Sequence, residues 1–310
     1  MGLKMKSRVG RIRILHNTLK VTAAGKYTKN GKDICLKKDG TDYREAIVWN
    51  VEAVRQLKEK QLLQRPVHDI DKAPVFTVTN RDSFEAAAEI MKSDFWNSET
   101  PAGKVLVLNF ANSVHPGGGV RYGDIAQEED LCRRSTLLVS LESNKAREYY
   151  NFNRKLSRRL MSSDSMIISP DVAVFRQRNG QYMDEPISVS VLTCAAPALG
   201  HLGSKLCEKQ LEDILYQRIL AMLYVAAEQG YEYLVLGAWG CGAFGNDAGQ
   251  VAKQFARAFE DFRVNITADD GKNLMAKAGS CFRYVEFAVL DSSKKKYNFN
   301  CFLKQFPGVE

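Results

Sequence analysis

Lys104-Val-Leu-Val-Leu-Asn-Phe-Ala-Asn-Ser-Val-His-Pro-Gly-Gly-Gly119 is the stretch whose reading decides the fold. Its first seven residues form a short apolar run of the kind that a strand buried on both faces requires. The rest is a loop ending in three glycines, and Gln127–Leu141 beyond it reads as a helix. A buried strand, a glycine-rich loop and a helix in that order make one step of an α/β layer. Upstream, Val75–Thr79 reads as a strand, and Asn80, Asp82 and Ser83 form a cap cluster opening the helix Phe84–Lys92. Downstream, strands are expected at Ser165–Ser169 and Ile187–Ala195, with a hairpin around Asn179-Gly180 between Val172 and Met183. A helix Leu206–Gln229 stops at Gly230. Strand Tyr233–Trp239, loop Gly240–Gly245, helix Asp247–Phe262 and strand Arg283–Asp291 complete the pattern. The expected architecture is a mixed sheet with helices on both faces.

The segment ahead of that layer differs in charge. Residues 1–72 hold 17 Lys/Arg against 8 Asp/Glu, whereas residues 73–310 hold 27 against 28, so the net charge of +8 resides in the N-terminal quarter. This quarter reads as a basic accessory segment, 1–72. It contains a mixed apolar and basic stretch Arg11–Ala24, a hairpin turn at Asn30-Gly31 and a helix Glu45–Gln64. The boundary with the α/β domain, 73–310, is placed near Arg65-Pro66 to Ala73-Pro74. The basic excess could steer a phosphate-rich ligand or be a solvated face of lysines and arginines.

With 310 residues, 45% hydrophobic and 26% charged, the composition is that of a folded globular chain. No apolar run reaches the roughly 18 to 20 residues of a membrane span. Met-Gly-Leu-Lys-Met-Lys-Ser at the start lacks an apolar signal core, and Lys6 stands where myristoylation needs Ser or Thr. Seven widely spaced cysteines with no C-x-x-C pair suggest free thiols in a reducing compartment. Localisation in the cytoplasm is expected, or in the nucleus if the chain is eukaryotic. Four scattered histidines give a metal site no support.

Two glycine loops carry the chemistry. Gly240-Cys-Gly-Ala-Phe-Gly245 has the G-x-G-x-x-G spacing that holds a pyrophosphate on backbone N–H groups. A dinucleotide cofactor is disfavoured, because the motif lies late, one strand follows it, and Glu260 is at a helix end rather than a strand end. Gly117-Gly118-Gly119 removes every Cβ from the other loop, suiting close approach to a phosphate or ribose, or else forming a flexible turn. Glu128, Glu129 and Asp130 in a first helical turn favour the helix dipole and could be no more than capping.

Leu108-Asn-Phe-Ala-Asn-Ser113, Gly117–Gly119, Gln127-Glu-Glu129, Leu131-Cys-Arg-Arg-Ser135, Ile168-Ser-Pro170, Gly237-Ala-Trp-Gly-Cys-Gly-Ala-Phe-Gly-Asn246 and Phe287-Ala-Val-Leu-Asp291, in that order, resemble the microbial-type poly(ADP-ribose) glycohydrolases. Thr18-Leu19 and Gly25-Lys-Tyr27 resemble that family's accessory segment. The resemblance spans most of the chain. It implies a macrodomain-like fold and hydrolysis of ribose–ribose O-glycosidic bonds in poly(ADP-ribose), with no metal or redox cofactor. The substrate would be the polymer or an ADP-ribosylated protein, the product ADP-ribose, and the enzyme a monomer that needs no membrane.

The resemblance also assigns residues. Gly117, Gly118, Gly119 and Val120 in one loop, and Gly240, Cys241, Gly242, Ala243, Phe244, Gly245 and Asn246 in the other, would clamp the diphosphate of ADP-ribose as one site. Asn112 would face the ribose at the cleavage point and Phe244 would pack on that sugar, their alternatives being a turn cap and a core aromatic. Gln127 belongs to the same binding set. Glu129 would protonate the leaving oxygen and then take a proton from water, which requires a raised pKa, while Glu128 would hold ribose hydroxyls. Adjacent helical residues point about 100° apart, so these two acids should divide roles. Cys241 is expected to be a small loop residue rather than a nucleophile. Two other functions remain open: a non-catalytic ADP-ribose reader, against which the intact Gln127-Glu128-Glu129 argues, and a hydrolase of single ADP-ribose groups.

Overall fold

The computed structural model describes residues 7–36, 41–60, 73–93, 96, 105–156, 161–199, 207–267 and 273–308. The chain divides into two compact units. One comprises Met1–Val48, Asn109–Arg159 and Met166–Ala195, the other Trp49–Leu108, Leu160–Ser165 and Ala196–Glu310. The main sheet is seven-stranded and mixed, and strand β5 (Val105–Phe110) contributes residues to both units. The other strands are β3 (Ile47–Trp49), β4 (Val75–Thr79), β6 (Met166–Arg176), β7 (Tyr182–Cys194), β8 (Tyr233–Leu236) and β11 (Tyr284–Ala288), in the order β3-β6-β7-β5-β8-β11-β4. The expected mixed α/β fold is the observed one.

In the second unit β5, β8, β11 and β4 run parallel. Their period-two alternation sorts side chains between two helical layers. Phe76 and Phe287 pack against Phe255, Phe259, Phe302 and Phe306 of α8 (Ala248–Asp261), α9 (Tyr297–Gln305) and the residue after it. Tyr233 packs against Trp96, which follows α3 (Ser83–Ile90). Helix α3 starts where its cap cluster predicts: Asp82 accepts from Phe84 and Glu85 N–H while Glu85 reaches back to Asp82 N–H. Helix α7 (Glu208–Glu228) ends before Gly230 as expected, and a hairpin of β9 (Arg263–Thr267) and β10 (Asn273–Lys277) joins α8 to β11.

The first unit is built on the antiparallel pair β6–β7. The segment Arg11–Ala24 proves to be part of a helix, α1 (Arg8–Ala24), capped by Ser7 at one end and Gly25 at the other. Strands β1 (Lys26–Lys29) and β2 (Lys32–Cys35) form the expected hairpin about Asn30-Gly31. Val21, Tyr27, Leu36 and Tyr43 then share one apolar core with Ala173 and Phe175 of β6. The N-terminal segment is thereby part of this unit's interior. The expected boundary near Arg65 to Pro74 falls mostly outside the described residues.

Two helix expectations are corrected. Glu45–Gln64 is not one helix: Ile47-Val48-Trp49 is a strand, and α2 spans Val51–Lys60, its first turn capped where Asn50 Oδ1 accepts from Ala53 N–H; Gln61–Gln64 lie outside the described residues. Gln127–Leu141 is two helices, α4 (Gln127–Arg134) and α5 (Leu137–Leu141). Ser135 bridges to Val174, while Thr136 and Ala173 exchange hydrogen bonds, which turns the backbone away from the helix. The strands expected at Ser165–Ser169 and Ile187–Ala195 and the hairpin expected about Asn179-Gly180 are found together as one antiparallel pair, β6–β7, longer than expected and bulged. Helix α6 (Arg147–Lys155), with Tyr149 and Tyr150 buried, and helix α9 were not anticipated. Among the described residues no helix is long and apolar enough to cross a membrane.

Candidate active site

In the first unit the buried end of β5, the glycine loop and α4 bring Asn109, Gly117–Gly119, Glu128 and Glu129 together. Helix α4 begins at Ala126 with no side-chain cap, and Gln127 ties it to the strand by accepting from Phe110 N–H. Both glutamates of its first turn are buried. Glu128 accepts from Asn112 N–H at 2.7 Å, from the Asn109 carboxamide at 3.3 Å and from Gly117 N–H. Glu129 Oε1 accepts from Gly119 N–H at 2.8 Å, whereas its Oε2 is buried with no hydrogen-bond partner among the described residues. The glycine loop therefore holds both acids with its own N–H groups.

The missing side chain at Gly118 has a specific use here. A Cβ on that residue would lie 2.3 Å from Glu129 Oε1 and 3.0 Å from Glu128 Oε2. Neighbouring helix positions diverge, yet both carboxyl groups converge on one glycine because the loop passes across the helix start. Burial drives the Glu128 carboxyl up to about 8, the donors Asn112, Asn109 and Gly117 opposing it. Glu128 thus keeps a proton at neutral pH. Its ordinary value is 4.5, so between that and about 8 the folded chain binds the extra proton and the unfolded chain does not. Stability must fall as pH rises through this window and be unaffected by this group below it. Glu128→Gln removes the dependence: denaturant titrations from about pH 5 to 8 should show the variant gaining on wild type as pH rises, and parallel curves would contradict this burial.

Asn112 serves first as a turn cap, its Oδ1 accepting from Val114 and His115 N–H. Val120 is buried and opens a 3-10 turn, Val120–Tyr122. Asn109 and Arg133 escaped the sequence reading. Asn109, the single polar residue of an apolar strand, also bonds Thr193, and that isolation was its signal. Arg133, fully buried, donates to Asp124 O, fastening the turn before α4.

Helix α1 braces the same loop. Arg8 donates to Tyr122 O, Arg11 to Gly123 O and Thr18 to Arg133 O. Gly123 has φ +80, and a Cβ there would meet Arg8 O at 2.9 Å. Gly123→Val is therefore expected to destabilise the protein by about 1–3 kcal/mol, seen as a lowered thermal midpoint; an unchanged midpoint would mean that α1 does not press on this turn.

The second glycine loop belongs to the other unit. Asn246 is buried, its carboxamide donating to Pro197 O and Gly240 O, and its N–H closes the loop onto Gly240 O. A Cβ at Gly240 would strike Ala196 at 2.5 Å. Gly245 N–H returns to Gly242 O, leaving Gly242, Ala243 and Gly245 exposed and Phe244 half-exposed. Burial pushes the Cys241 thiol up to about 12 and its nearest acceptor is Trp239 O, so it stays protonated, as suits a loop residue. Among the described residues no cluster of His, Cys, Asp and Glu is arranged to hold a metal ion.

The model of the microbial-type PARG catalytic domain matches residues 16–177, a span holding the glycine loop, both glutamates and most of α1. The chain belongs to the microbial-type poly(ADP-ribose) glycohydrolases. Poly(ADP-ribose) glycohydrolase from Thermomonospora curvata is similar in structure, with TM-score 0.80 and 30% identity over 96% of this chain and 100% of that one. The enzyme from Deinococcus radiodurans, solved in complex with ADP-ribose, has TM-score 0.70 and 31% identity over 86% of this chain and 95% of that one. No curated protein sequence matches the chain. The fold and hydrolase class expected from the resemblance are those of this glycohydrolase family.

Proposed function

We propose that this chain hydrolyses the ribose–ribose O-glycosidic bonds of poly(ADP-ribose), with Glu129 as general acid and base. The observation that carries the residue assignment is the unpaired, buried Oε2 of Glu129, opposite an Oε1 fixed by Gly119 N–H. A buried acceptor without a partner is unfavourable, and such exceptions concentrate where a substrate completes them. Glu129 Oε2 then protonates the leaving ribose oxygen, and the resulting carboxylate takes a proton from the entering water. Glu128, neutral at its raised pKa, holds ribose hydroxyls. In the first unit Asn112, Gly117–Val120 and Gln127 are ADP-ribose-binding residues; in the second, Gly240–Asn246 are, and there Gly242–Phe244 offer N–H groups that have no acceptor among the described residues.

A second reading gives proton donation to Glu128, which its raised pKa favours. Its carboxyl is anchored by Asn109, Asn112 and Gly117, which leaves it capacity for a ribose hydroxyl but fixes it in place, whereas Glu129 has a whole oxygen with no partner among the described residues. The decisive assay incubates wild type, Glu128→Gln and Glu129→Gln with polymer-modified and singly ADP-ribosylated protein. Release of ADP-ribose from polymer by wild type and not by Glu129→Gln is expected; a variant at 129 as active as wild type, with Glu128→Gln inert, would transfer the role. The proposal includes action as a monomer, and in the cytoplasm, a reducing compartment that seven free thiols fit.

A further inference from the structure

The seven residues between the glycine loop and α4 display large apolar side chains to solvent: Tyr122 is 68% exposed and Ile125 72% exposed, and Val9, next to Arg8 on α1, is 58% exposed. Single exposed apolar residues are ordinary on a surface. These differ in being shown on a backbone fastened at nearly every step. Tyr122 N–H and Asp124 N–H both bond Gly119 O, Arg8 takes Tyr122 O, Arg11 takes Gly123 O and Arg133 takes Asp124 O. Gly119, the anchor of the turn, is also the donor to Glu129. The exposed pair therefore flanks the catalytic acid in sequence and shares its hydrogen-bond frame. The cations Arg8 and Arg11 are fixed at the same turn, and no carboxylate pairs with Arg8 among the described residues.

We propose that Tyr122, Ile125 and the adjoining face of α1 at Arg8 and Val9 form a subsite for the neighbouring ADP-ribose unit of the polymer, on the far side of the scissile bond. This rests on the glycohydrolase reading above. A neighbouring unit offers what the surface lacks: an adenine with a flat face for the Tyr122 ring, and a pyrophosphate for the Arg8 guanidinium. Stacking of a base on an aromatic side chain is worth roughly 5- to 150-fold in affinity per base. Because the backbone is fixed beforehand, little of that is lost to ordering the loop. The subsite acts on polymer and not on ADP-ribose itself, so it selects the length of the substrate.

The test compares poly(ADP-ribose) with an ADP-ribose glycoside of a small alcohol, which has no neighbouring unit. Tyr122→Ala and Ile125→Ser should raise KM on polymer, Tyr122→Ala by about 5-fold or more, while kcat/KM on the small glycoside changes less than about 2-fold. Tyr122→Trp should restore the polymer KM. Equal losses on both substrates would show a disturbed loop, and unchanged KM on polymer would show a bystander surface; either overturns the subsite while leaving the activity in place. A change in sedimentation of the variants with no change in KM would assign the patch to contact between copies, again overturning it. Wild type inert on both substrates would defeat the glycohydrolase reading, and the subsite with it.

Discussion

Glu129→Gln is expected to lower turnover of poly(ADP-ribose) by at least about 100-fold, the lower end of what a positioned acid–base group contributes. The substitution is nearly isosteric. A carboxamide oxygen can still accept from Gly119 N–H at the Oε1 position, so the glycine loop keeps its shape. The free Oε2 position then carries an NH₂ group that cannot give a proton to a leaving alkoxide or take one from water. Since that interaction exists only in the transition state, affinity for ADP-ribose should stay within a few-fold, measured by calorimetry. Turnover at the wild-type rate would remove Glu129 from the mechanism.

Gly118→Ala should have an effect of similar size for a different reason. The residue has φ +56, which costs a residue with a Cβ about 1–2 kcal/mol. Its methyl would overlap Glu129 Oε1 at 2.3 Å, and neither acid has an open side to retreat to, both being buried. The carboxyl group must shift by an ångström or so, and displacement on that scale costs about 100-fold in rate. Gly118→Val adds a branched side chain to the same space and should weaken ADP-ribose binding as well. A Gly118→Ala enzyme with wild-type kcat and thermal midpoint would mean that the loop and the acids are not packed as described.

The parts of this arrangement that could be read in advance are those written in neighbouring residues. Three glycines, a seven-residue interval and Gln127-Glu128-Glu129 announce themselves by spacing, and Lys104–Phe110 by its apolar run. What the spacing could not supply was the direction of the hydrogen bonds. The glycines were expected to face a diphosphate, yet Gly117 and Gly119 N–H groups turn toward the carboxylates. Likewise the displaced pKa of Glu128 follows from how completely it is enclosed, which no local pattern encodes. The break at Ser135-Thr136 needed β6 to be in place, and α1 looked featureless because the one face it buries mixes Ile14, Leu15 and Val21 with Gly10, Thr18 and Thr22 while Val9 is exposed, which blurs the apolar pattern.

Helix α1 has a consequence for how the protein is made. It is synthesised well before its partners: Thr18 finds the Arg133 carbonyl 115 residues later and the Arg176 guanidinium 158 residues later. At roughly 5–20 residues per second, that leaves the helix without those partners for on the order of ten seconds. During that interval Ile14, Leu15 and Val21, all buried in the finished protein, are open to other chains. The segment that braces the catalytic loop is thus also one with a long exposure to misassembly during synthesis, and solubility on expression should respond to its sequence before activity does.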